Sequence, residues 1–324
     1  MVGSVSAATP EAEEFYRTHP VITIGYPADE LMPRMLARYL PKYLPGNASG
    51  IVQYIPAAGG LALANQTFNT AAKDGTFLAL IRGSTLQLQV NGDTAAKFDS
   101  VKFAWVGNMT REYDTCIVYE TVKIQSVADV YKQELLFGAS AAGSPSYTFP
   151  LVYRQLLGMK LKVIPGYIRI PDRILAMEQG ELMGGCGFYT NTLMSTMYGP
   201  FSAGKIRPLF QGGLTKDRRF PNVPNALEEA KTPENRQALE YMYATLELGR
   251  PFAAPPETPP DRLKLLREAF DKAMKDPDLV EEAKRMQLDI DSMNGRDTAA
   301  SVARLAQTPR SVITRVESVM KGGR

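Results

Sequence analysis

Histidine is almost missing from this 324-residue chain, and cysteine and tryptophan are scarce: one His, two Cys and one Trp. A single imidazole excludes a His-rich metal centre, and two thiols cannot build a four-cysteine zinc site. His19 lies in a polar N-terminal stretch, so no Ser-His or Cys-His pair can be assembled elsewhere. There is no G-x-S-x-G elbow either. An excess of one charge is also lacking. Lys and Arg number 37 against 34 Asp and Glu, a net charge of +3, without the clustered basic surface of a nucleic-acid binder. No apolar run reaches the ~18 residues of a membrane span. Residues 1–20 carry no charged segment followed by an apolar one, so no signal peptide is expected there. A cytoplasmic protein and a mature exported one both fit.

What is present is ordinary globular material, 44% hydrophobic and 22% charged, with length for two domains. Strand and helix signals alternate, which predicts an α/β fold with mostly parallel strands. Strands are expected at 21–24, 51–55, 77–81, 103–107, 116–119, 135–139, 162–165, 182–186 and 206–210. The first helix shows Met35, Leu36, Tyr39, Leu40, Tyr43 and Leu44 as one apolar stripe, stopped by Pro45-Gly46-Asn47. The C-terminal end reads as helical: one helix from Pro260, one from Pro277 and a last stretch from Asp297 to Met320. No linker separates two domains, so the chain is expected to cross between them as strands. The division expected is 1–115 plus 246–324 against 116–245.

Phosphate-loop chemistry is weakly supported. Gly199 to Lys205 comes near a P-loop, but Ile206 stands where a magnesium-binding Ser or Thr belongs, and the motif precedes a strand. The loops after the strands are more telling. They hold small residues, hydroxyls, aromatics and an occasional Arg: Gly25-Tyr26-Pro27, Arg82-Gly83-Ser84, Ala142 to Tyr147, Gly166 to Arg169 and Gly187 to Thr190. In open α/β sheets, ligands bind beyond the carboxyl ends of the strands. Amides and hydroxyls there suit an anionic group. Cys116 and Cys186 sit in apolar, strand-like surroundings. On the residues alone, two buried thiols are favoured over one disulfide.

An ordered series of motifs carries a family resemblance. Ala37 to Asn47 ends in Pro45-Gly46-Asn47; Ile51-Val52-Gln53, Pro56 and Gly59-Gly60 follow; then come Ala64-Asn65 and Lys73-Asp74-Gly75-Thr76. Further matches are Phe103 to Gly107, Ala176 to Glu181, Pro221 to Pro224 and Phe252 to Pro256. From about residue 20 to about residue 310 the chain resembles the substrate-binding proteins of tripartite tricarboxylate transporters, the Bug or TctC family. The resemblance implies a type II periplasmic-binding-protein fold: two α/β lobes joined by crossing strands, with a ligand cleft between them. It also implies export to the periplasm with the signal peptide removed, a Cys116–Cys186 disulfide, no cofactor, no metal and no catalysis. A monomer is expected, with a small organic anion and membrane transporter subunits as partners and no nucleic acid.

Family ligands are small carboxylates, held by two loops. In the first loop Arg34 matches a family Arg, and Glu30 stands where the family has Asp. Gly25 to Asp29 is about three residues shorter than the family loop and lacks its glycine pair. In the second, Gly166 to Asp172, Arg169 and Ile170 replace another glycine pair. The expected site therefore draws charge from Arg82 or Arg169 and hydrogen bonds from Ser84, Ser144, Ser146 and Thr190. Its walls are Tyr26, Tyr147, Tyr167, Phe188 and Tyr189, with Pro27 and Asp172 in the same loops. Those aromatics lean the expectation toward an aromatic carboxylate over citrate. A ligand-presenting partner of a sensor kinase and an α/β enzyme are the alternatives.

Overall fold

The computed structural model describes residues 9–28 and 31–321. Glu30 and Asp29 therefore lie outside the described residues. Among the described residues eleven strands are formed: β1 (Val21–Tyr26), β2 (Ser49–Tyr54), β3 (Phe77–Leu80), β4 (Ala104–Asn108), β5 (Asp114–Tyr119), β6 (Leu135–Gly138), β7 (Leu161–Ile164), β8 (Gly184–Tyr189), β9 (Ile206–Gly212), β10 (Pro251–Ala254) and β11 (Met293–Asn294). They make two sheets, ordered β11-β4-β10-β3-β1-β2 and β7-β6-β8-β5-β9. The chain divides into two compact units, Met1–Arg111 with Leu248–Gln307, and Glu112–Glu247 with Thr308–Arg324.

The sheets are mixed, not mostly parallel. β1 runs parallel to β2 and β3, and β6 parallel to β7 and β8. The strands that begin where the chain changes unit run the other way. β10 is antiparallel to β3 and β4, and β5 is antiparallel to β8 and β9. A strand entering from the other unit has no crossover helix to bring it in parallel.

In the first unit, the stripe expected of the first helix folds as helix Leu31–Tyr39, with Met32, Met35, Leu36 and Tyr39 buried. The tighter turn Leu40–Tyr43 follows it, and Gly46 stops the segment at a positive φ of 77°. Gly50 on β2 lets this helix close down, because a Cβ there would collide with the Ala37 carbonyl. Helix Pro260–Ala273 buries Leu265, Leu266, Ala269 and Phe270 in the same core as Ile22, Ile24, Leu78 and Phe252. Each such side chain contributes roughly 1.5–3 kcal/mol by leaving water. Asp276 caps helix Pro277–Arg285 through the Asp278 and Leu279 amides, and Asn294 caps Gly295–Ala306 through those of Arg296 and Asp297.

The last helical stretch is two helices. Gly295–Ala306 ends before Pro309, which cannot continue it, and Arg310–Lys321 starts afresh. That final helix packs on helices Pro233–Glu247 and Pro145–Val152 of the second unit. Residues 308–321 thus group with the second unit in this division. Val312, Ile313 and Val316 are the side chains it buries. Among the described residues no helix is long and apolar enough to cross a membrane.

Candidate functional site

Each unit gathers candidate residues at the carboxyl ends of its parallel strands. In the first unit these ends are β2, β1 and β3. Tyr26 closes β1 and is buried, its ring 5.3 Å from that of Tyr54 on β2. Arg34 donates to the Tyr26 hydroxyl at 3.4 Å. Pro27 faces Gly60, where a Cβ would stand 3.4 Å from its ring. Thr85 donates to the Gly59 carbonyl at 3.1 Å, tying the β2 loop to helix Gly83–Val90. Arg82 precedes that helix in the capping position, half-buried, and Ser84 is exposed in its first turn. The structure therefore brings Tyr26, Pro27, Arg82 and Ser84 to one edge of the sheet.

In the second unit the corresponding ends are β7, β6 and β8. The loop after β6 is stitched by hydroxyls. Ser146, buried in the first turn of helix Pro145–Val152, accepts from the Ser140 amide at 3.0 Å. Its oxygen also lies 3.2 Å from that of Ser140 and 3.1 Å from that of Ser144. The loop after β7 docks alongside: the Gly166 amide donates to Ser140 O and the Tyr167 amide to Ala139 O. Gly187 comes against the Ser146 backbone, and with a φ of 75° only a residue without a Cβ fits there. Ser144, Ser146, Tyr147 and Tyr167 are thereby collected around one turn.

The remaining candidates are engaged otherwise. Arg169 is exposed and forked onto Asp172, with Nε–Oδ2 at 3.0 Å and Nη2–Oδ1 at 2.7 Å. The pairing holds the Arg169 pKa above its ordinary value and that of Asp172 below. The Tyr167 hydroxyl donates to Glu181 at 3.3 Å. Thr190 is buried and its hydroxyl meets that of Thr115 at 3.2 Å. Phe188 is 1% exposed, a core ring rather than a wall. Tyr189 is half-buried at the end of β8.

Cys116 and Cys186 are joined by a disulfide between β5 and β8. Beside it stands Asp114, fully buried, which accepts from the Gly187 amide at 2.7 Å and from the Tyr153 hydroxyl at 2.7 Å. Tyr243 donates in turn to the Tyr153 oxygen. Burial outweighs these bonds and pushes the Asp114 carboxyl up to about 7. Burial, with Asp114 beside it, drives the Tyr153 phenol well above the ordinary tyrosine range. Asp114, Cys116 and Cys186 lie close enough to share a cation, but bonded sulfurs carry no thiolate charge, so this donor set does not suit one.

Sequence reasoning passed over Ser140, Asp114 and Arg173. The last has a legible signal, because Arg173 shares a buried helix face with Ala176 and Met177 at i+3 and i+4. His19 is spoken for: its ring stacks on Phe15 at 4.3 Å and its Nδ1 lies 3.1 Å from the Phe15 carbonyl.

Two α/β units of this topology are the fold of the periplasmic solute-binding proteins. The particular likeness is to the TctC and Bug proteins. A TctC solute-binding protein from Polaromonas superposes with a TM-score of 0.73 at 19% identity, over 91% of this chain and 98% of that one. MatC from Rhodopseudomonas palustris, solved with bound malate, matches with a TM-score of 0.55 at 18% identity, over 93% of this chain and 98% of that one. A protein from R. palustris with adipate matches with a TM-score of 0.56 at 17% identity, over 93% and 96%. No family model and no curated protein matches the sequence.

Proposed function

We propose that this chain is an extracytoplasmic solute-binding protein of the Bug/TctC type. It captures a small organic anion, a di- or tricarboxylate or an aromatic carboxylate, and delivers it to the membrane subunits of a tripartite tricarboxylate transporter. It acts as a monomer, without catalysis. The observation that carries this reading is the fold match to the TctC protein over 91% of the chain. Supporting it, both units turn amide- and hydroxyl-rich loops outward from the carboxyl ends of parallel strands, where α/β sheets hold their ligands. The Cys116–Cys186 bond suits an oxidising compartment. Neighbours of this fold hold malate and adipate.

The test is a thermal-shift screen against mono-, di- and tricarboxylates, aromatic acids and amino acids. A ligand at 100 times its Kd adds about 2.7 kcal/mol of stability, a rise of roughly 5 °C. Such a rise with one class of carboxylate, and none with its amides, is the expected result. A flat response to every carboxylate would remove the reading.

A further inference from the structure

Arg173 is a buried cation with no counter-charge among the described residues of the second unit. It sits in the first turns of helix Ile170–Glu178 and is 6% exposed. Its Nε and Nη1 are sealed from solvent and have no hydrogen-bond partner among the described residues. The guanidinium carbon lies 4.6 Å from the centre of the Phe188 ring. A Cβ on Gly138, the last residue of β6, would stand 3.5 Å from Arg173 Cγ. The side chain therefore lies at the ends of β6 and β8, against Gly138, which stands two residues before Ser140.

Three other arginines withdrawn from solvent are treated differently. Arg219 is forked onto Asp217 and donates to Asn191. Arg267 donates to the Trp105 carbonyl at 2.8 Å, and Arg262 to that of Asp74 at 2.9 Å. For Arg173, burial alone acts on the guanidinium and lowers its pKa; no acidic group offsets it. A phenyl face returns only part of what burying a cation costs.

We propose that Arg173 is the charge-selecting residue of the anion site in the second unit: its guanidinium, resting on Phe188 at the end of β6, pairs with the carboxylate of the bound ligand. This rests on the solute-binding reading above. It also explains why the exposed Arg169 can remain closed on Asp172. The ligand would supply the missing counter-charge, and planar guanidinium geometry favours a carboxylate over a neutral group of the same shape.

The experiment is calorimetric titration of the full chain with malate, adipate and benzoate, and with the amide of whichever binds, for wild type and Arg173→Met. Wild type is expected to bind one carboxylate and to reject its amide. The variant should bind the acid at least ~30-fold more weakly, the size of a charged hydrogen bond, and lose its preference over the amide. Its Tm without ligand should not fall, since an uncompensated cation has been removed. A variant that binds within threefold of wild type overturns the role of Arg173 and leaves the solute-binding reading intact. A fall in unliganded Tm with the acid–amide preference kept assigns Arg173 to structure and overturns the proposal. Wild type that binds none of the acids overturns both. Should Arg173→Met not fold, the Arg173 guanidinium N–H resonances of wild type serve, assigned by their loss in Arg173→Lys. A downfield shift on adding the acid upholds the pairing, and unmoved resonances refute it.

Discussion

The Asp114 carboxylate is where single-residue chemistry and architecture meet. Its Oδ1 receives the Gly187 amide, which the β5–β8 ladder leaves over, and its Oδ2 receives Tyr153. The folded carboxyl titrates near 7 against an ordinary value of 3.8. The folded state therefore holds a proton that the unfolded chain has lost between those limits. Stability is greatest below about pH 4, falls as pH rises toward 7, and levels off above, with a slope of at most about 1.3 kcal/mol per pH unit from this group. Denaturant midpoints measured from pH 4.5 to 8 should show that fall, and Asp114→Asn should flatten it. An equal slope in the variant would mean that Asp114 is ionised throughout. Little of this was legible in the sequence. Asp114 merely opens a strand, and only its neighbours Tyr153 and Gly187 make it unusual. Arg169 and Asp172 were legible as loop charges, yet their three-residue spacing closes them on each other before any ligand arrives.

Strands and helices were read with more success than their directions. β1, β3, β6 and β9 fall where short apolar runs predicted them. Direction was not readable, because it depends on which unit a strand enters from. Helix Pro233–Glu247 escaped notice although Ala238, Leu239, Met242 and Leu246 line its buried face. Polar neighbours such as Asn235, Arg236 and Gln237 dilute the stripe at its start. A bulge marks the β5–β8 pair: Thr115 faces Phe188, but Ile117 faces Gly185. Two residues of β8, Cys186 and Gly187, thus oppose Cys116, and the extra one turns the strand end toward Ser146. The disulfide crosses this bulge and closes a segment of sequence separation 70. By loop entropy it stabilises the fold by about 4 kcal/mol. Cys116→Ser with Cys186→Ser should lower the denaturation midpoint by that order, as should reduction of the native protein. If reduction leaves the midpoint unchanged, the sheet alone fixes the bulge.

At the scale of the molecule, the chain passes between units after Arg111, after Glu247 and after Gln307. The third passage was not readable, since Pro309 reads as a kink within one helix as easily as a boundary between two. Its consequence is that helix Arg310–Lys321 joins the second unit from a distant part of the sequence. Helix Arg310–Lys321 covers helices Pro233–Glu247 and Pro145–Val152 with Val312, Ile313 and Val316, and Arg315 bonds to Asn235. Ending the chain at Gln307 removes three buried apolar side chains and uncovers the helix faces they pack on, a loss of roughly 5 kcal/mol. That loss falls on the second unit alone. Hydrogen exchange should show amides of β5, β8 and β9 losing protection while those of β1 and β3 keep theirs. Equal loss in both sheets would show that the helix serves the whole molecule. Because helix Pro145–Val152 carries Ser146 in its first turn, the shortened chain should also hold the Ser140–Ser146 loop less firmly. Carboxylate binding would then weaken even under conditions where the first unit remains fully folded.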